Sequence, residues 1–169
     1  MGLFEEEFEY KGKHAIYCKY LKENNIISTY REIYLLSAVV GFVNGRKSPV
    51  DKEEKIAEAS ILPSEISKKK AELSFVYRVI MLLDEKEGFT IEDYKNRTFR
   101  DDSDEENPEK LKKNMEIFNS YARGGIEILY DLFSNCDEKS QCADALYEFV
   151  HNFAVQNELI LDNDNDELF

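Results

Sequence analysis

Five side chains in this sequence have the chemistry of a base, a nucleophile or a soft metal ligand: His14, His151, Cys18, Cys136 and Cys142. An imidazole moves protons near neutral pH, and a thiolate attacks carbon or binds zinc. Their spacing supports neither use. Cys136 and Cys142 stand six apart, and with the histidines at 14 and 151 they complete no usual zinc pattern. Neither histidine has an obvious serine or cysteine nucleophile near it in sequence, and serine-nucleophile, zincin and kinase signatures are absent. The two histidines therefore read as packing or surface residues, and the three thiols as buried or incidental. An odd cysteine count without framework spacing predicts no disulfides, which suits a reducing cytoplasm.

The carboxylates are equally uncommitted. Asp162, Asp164 and Asp166 alternate like the start of a calcium loop, but the sixth position, where the turn needs glycine, is Glu167. The acidic run 101–106 reads as a solvated loop. Gly124 and Gly125 before Ile126 offer amides to an anion at a helix start, but close helix packing is the commoner reason for such a pair. The residues thus predict no catalytic constellation, no metal site and no cofactor.

Charge narrows the partners. The formal net charge is −13, so the free chain is not expected to bind duplex DNA, whose phosphates attract cationic surfaces. Two uses of the acidity stand open: solubility, or a surface that mimics DNA or meets a basic partner. Against this background the basic residues Arg46, Lys47 and Arg123 are the candidate partner-facing positions. Arg46 and Lys47 follow a glycine stop and precede Pro49; Arg123 precedes the glycine pair. They either contact an acidic partner or a phosphate, or pair with the protein's own carboxylates.

The elements that must position these residues read as helices. Only 7 Gly and 3 Pro interrupt a chain with 43% hydrophobic residues. Phe4, Phe8 and Tyr10 alternate with acids and suggest an arm or short strand. Apolar spacing predicts a helix over 14–22, closed by Asn24-Asn25. Thr29 with Glu32 predicts a capping box that opens a helix apolar on all sides, from Thr29 to the stop at Asn44-Gly45. Residues 56–62 suggest a short extended piece. Pro63 opens a long helix to about Asp84, and Thr90 with Asp93 starts another. Asn107-Pro108 begins a helix that Gly124-Gly125 is expected to break before Ile126–Phe133 resumes. A last helix covers about 138–156. The expectation is an all-α, single-domain bundle of about six helices over residues 1–157, centred on Val39 and Val79, with an acidic tail at 158–169. The acidic N-terminus is unlike a secretory signal, Glu6 breaks the myristoylation pattern, and no apolar run reaches 18 residues.

Two segments carry a resemblance. Tyr30-Arg31 opens the apolar helix, Gly41-Phe42, Gly45-Arg46 and Pro49 close it, and Tyr121-Ala122-Arg123-Gly124-Gly125 follows much later. In this order they resemble the small accessory proteins of bacterial DNA-phosphorothioation modification and restriction systems, over about residues 26–134. Ser37 within the helix, the acidic stretch 101–109 and the last helix and tail depart from that pattern. The resemblance implies a cytoplasmic accessory with protein partners in an anti-phage defence locus, and it implies no catalytic residues. The alternative from charge alone is an acidic, phage-encoded inhibitor or DNA mimic.

Overall fold

The computed structural model describes residues 2–52, 58–104, 106–136 and 139–156. The elements run β1 (Phe8–Lys11), α1 (Lys13–Glu23), α2 (Tyr30–Val43), β2 (Glu58–Ile61), α3 (Pro63–Ile66), α4 (Lys70–Leu83), α5 (Ile91–Phe99), α6 (Pro108–Phe133) and α7 (Lys139–Gln156). Among the described residues the fold is all-α, as the sequence predicts, apart from one antiparallel strand pair that sets Phe8 opposite Ile61 and Tyr10 opposite Ala59. The chain divides into two compact units, Met1–Tyr130 and Asp131–Phe169. The expected tail, 158–169, and its alternating aspartates lie outside the described residues.

Within the first unit the local signals work as chemistry predicts. The Thr29 hydroxyl accepts from the Glu32 amide and caps α2, while the Glu32 carboxylate takes the hydroxyl proton at 2.8 Å. Thr90 and Asp93 form a complete capping box on α5. At the end of α2, Gly45 has φ 61°, and the amides of Gly45 and Arg46 return to the carbonyls of Phe42 and Gly41. This double turn needs a left-handed residue, which glycine supplies. The aromatic N-terminal arm is anchored: Phe4 is buried edge-on against Tyr34, Tyr77 and Phe118.

Three expectations change. First, α2 is not enclosed on every side. Ile33, Tyr34, Ala38 and Val40 are buried, but Val39 and Val79 are only half-buried, and Leu36 is 41% exposed. Apolar composition does not say how many neighbours a helix has; the face of α2 toward the open side of α4 stays uncovered. Second, the helix from Pro63 is interrupted. A 3-10 turn at Ser67–Lys69 separates α3 from α4, and the Ser67 hydroxyl donates to the Ser64 carbonyl. Serine competes for backbone groups in this way, and three successive lysines follow. Third, Gly124-Gly125 breaks nothing: α6 runs through both.

The reason is contact. A methyl group added to Gly125 would lie 1.8 Å from the Ser37 carbonyl oxygen, and one added to Gly41 would lie 2.0 Å from that of Tyr121. A methyl at Gly124 would lie 2.0 Å from the Arg46 carbonyl oxygen. Helices α2 and α6 therefore cross backbone to backbone, and the segment after α2 presses on α6 in the same place. Phe42 and Tyr121 pack edge-on beside the crossing, with centroids 5.3 Å apart.

This generates a ranking. Gly125→Ala should lower stability by about 3 kcal/mol, even though alanine in a helix gains about 1 kcal/mol over glycine. Gly45→Ala meets open space and should cost about 1 kcal/mol through its left-handed backbone alone. Thermal melts of the two variants would show it; equal melting temperatures would mean that the crossing relaxes freely.

Candidate functional site

The segment 44–52 leaves α2 and is strapped down by two buried carboxylates. Glu127, on α6, accepts from Arg46 through Nε at 3.0 Å and the terminal NH2 at 2.7 Å, and from the Ser48 hydroxyl at 2.8 Å. Lys13 and His14, the first residues of α1, reach the same carboxylate at 2.9 and 3.0 Å. Asp84, which ends α4, takes Lys47 at 2.6 Å and the Tyr121 hydroxyl at 2.5 Å. Arg97, from α5, reaches Asp84 at 3.4 Å and also donates to the Met81 and Asp84 carbonyls, closing the end of α4. Four cations thus meet two buried carboxylates.

Helix starts and backbone contacts complete the strap. The Ser48 amide donates to the Ser120 carbonyl at 2.9 Å, and Arg123 Nε donates to the Ser48 carbonyl at 2.8 Å. Arg123 also pairs with Glu116. Further on, Asp51 accepts from the Lys13 amide at 2.8 Å, where the first N–H groups of α1 lack intrahelical partners.

Electrostatics fix the protonation states. Burial alone would raise Glu127, but hydrogen bonds from Lys13, Ser48, His14 and Arg46 outweigh it and hold the carboxyl at about 2. Burial likewise opposes ionisation of Asp84, and Lys47 and Tyr121 bring it below its usual range. Burial lowers His14, and the Glu127 contact offsets this only in part, so the imidazole is neutral at neutral pH. Its Nε2–H then donates to Glu127, and its Nδ1 has no hydrogen-bond partner among the described residues.

Ser48, His14 and Glu127 resemble a nucleophile–base–acid set, but the geometry differs. The Ser48 hydroxyl, at 3.3 Å, and the Glu127 carboxylate both lie against the same ring nitrogen. In a hydrolytic triad the base uses one nitrogen for the nucleophile and the other for the orienting acid. Among the described residues no group of histidine, cysteine and carboxylate side chains is placed to hold a metal. The Cys18 thiol is buried, and burial pushes it up to about 12. His151 stacks on Tyr147 within α7.

The candidate basic residues come together around the strap. Arg46 and Lys47 pair with the protein's own carboxylates, yet their side chains remain 47% and 46% exposed. Arg123, expected near a helix end, is buried in the middle of α6. Sequence reasoning missed Glu127 and Asp84. The available signal was one acid set among Ile126, Ile128 and Leu129 on an otherwise apolar stretch. In the acidic stretch expected as a solvated loop, Asp102 pairs with Arg78 and Asp101 accepts from Asn114, both partly buried, while Asp104 pairs with Lys110 at the surface.

The residues that carry the sequence resemblance hold the same frame. The Lys22 ammonium lies over the Tyr30 ring at 4.3 Å, and Arg31 pairs with Glu65. Gly41, Gly124 and Gly125 make the crossing, Phe42 and Tyr121 flank it, Gly45 turns the chain, and exposed Pro49 lies on the strap.

A pH dependence follows. Glu127 has a folded pKa near 2 against an ordinary 4.5, so its contribution is full above pH 4.5 and is lost as the pH falls toward 2. The shift corresponds to about 3 kcal/mol. His14, lowered from 6.5, acts in the same direction and begins to cost stability below pH 6.5. Melting temperature should fall steadily from pH 7 to pH 3, and Glu127→Gln should flatten the part below pH 4.5. A profile unchanged by that substitution would mean that Glu127 is not held down.

The family model of DNA sulphur modification system-associated protein 4 matches residues 13–164. No curated protein and no solved structure matches the chain. The chain belongs to that family of proteins associated with DNA sulphur modification systems.

Proposed function

We propose that this protein is a non-enzymatic accessory that binds another protein of a DNA sulphur modification and restriction system in the bacterial cytoplasm. Family membership supplies the system. The contact is made through the basic corner of Arg46 and Lys47, with Arg123 holding that corner from beneath. One observation carries the reading: two cations are fixed by buried carboxylates, yet each leaves about half its side chain in solvent. Fixing a long side chain in advance removes much of the entropy that an interface otherwise costs. Each carboxylate also keeps a second cation, Lys13 or Arg97, so the strap is not held by the exposed residues alone. No helix of the described residues is long and apolar enough to cross a membrane.

The test is co-purification with co-expressed proteins of the modification system. Wild-type chain should retain one of them, and the double variant Arg46→Gln with Lys47→Gln should retain it about ten-fold less well. The same variant should lose only about 1–2 kcal/mol of stability, since Lys13 and Arg97 remain. Charge reversal is the poorer test, because it adds acids beside Glu127 and Asp84. Equal retention by wild type and double variant would remove the corner from the interface; no retained protein at all would remove the accessory role.

A further inference from the structure

Helices α2 and α4 lie side by side and run the same way: Leu35, Leu36 and Val39 line one open groove with Ala71, Phe75 and Val76, while Lys47, just past α2, meets Asp84, just past α4. The groove floor is apolar and, among the described residues, uncovered. Within the groove Phe75 is 69% exposed and Leu36 41%; beyond its lining, Leu83 and Val43 are also exposed. Such residues recur at helical spacing: Leu36, Val39 and Val43 fall on one stripe of α2, and Phe75, Val76 and Leu83 on one stripe of α4. Contiguous exposed apolar surface of this kind marks an interaction site. The α2 stripe is about 12 Å long, two turns of helix. At its far end stand Arg46 and Lys47, where four cations surround two buried carboxylates and leave positive charge over.

Resting on the reading above, we infer that the α2–α4 groove receives an amphipathic helix of the partner protein, whose apolar face covers Phe75, Leu36 and Val39 and whose acidic end meets Arg46 and Lys47. Two apolar stripes on neighbouring helices form the seat that such a helix fits through residues at i, i+3, i+4 and i+7. The charge selects its polarity. Among the described residues that line the groove Glu72 alone is ionisable, and it is paired with Lys69 at 2.9 Å, so the charge offered to a partner's helix end is that of Arg46 and Lys47. A carboxylate seated there finds donors already fixed.

The experiment places a photo-crosslinking residue at position 75 of the full chain, co-expressed with the proteins of the modification system, and identifies the joined peptide by mass spectrometry. The expected product is an amphipathic helical segment of a second protein with acidic residues at one end. Phe75→Asp should leave the melting temperature within a few degrees and weaken co-purification about ten-fold or more. A cross-link to another copy of this chain, to its own residues 131–169, or to a basic or non-helical segment would overturn the inference. So would a protein that the wild type retains and Phe75→Asp retains equally, and in that case the accessory role survives. If the wild type retains nothing, the accessory role fails and takes the groove assignment with it.

Discussion

The close approach of α2 and α6 sets everything else in place. Three glycines let one helix and its exit segment touch the backbone of another, where any Cβ would collide with a carbonyl oxygen. Packed interiors do not tolerate such overlap. Because the exit of α2 is pinned there, Arg46 and Ser48 arrive over Glu127, and Lys47 arrives over Asp84. With side chains between the helices, the strap would stand off the carboxylates it now covers.

The two carboxylates have a cost and a use. Removing an acid from water is unfavourable unless strong donors replace the water, and here each acid has several. Glu127 joins α1, α6 and the strap; Asp84 joins α4, α5, α6 and the strap. The polar groups therefore do what the small apolar faces of short helices do not: they fix the relative position of several elements at one point. Replacing either acid leaves at least two cations without their charge partner, so loss of one partner is worse than absence of the pair.

Much of the frame was legible because it is local. Thr29, Thr90 with Asp93, Asn44-Gly45 and Asn107-Pro108 carry their meaning within four residues, and each marks a helix boundary in the structure. The alternation of Phe8 and Tyr10 with acids suggested an arm or a short strand, and the structure forms the strand. What could not be read depends on distant residues. Whether Gly124-Gly125 ends a helix or admits a neighbour is decided by Ser37 and Arg46, some eighty residues away. Whether Val39 is enclosed is decided by which helix lies opposite. Arg46 and Lys47 were recognisable as basic corner residues, but their partners Glu127 and Asp84 lie 81 and 37 positions off and have no motif.

The span of these bridges matters for how the chain is made. His14 and Glu127 are 113 residues apart, and the strap lies between them. On a ribosome adding roughly 5–20 residues per second, the first helix waits on the order of ten seconds before its counter-ion is synthesised. Through that interval Lys13 and Arg46 lack their shared ion-pair partner Glu127, and the strap lacks α6 to lie on. The protein's N-terminal half therefore completes its structure late, once α6 has emerged, and truncations ending before Glu127 would release a chain that has its helices but not its lock.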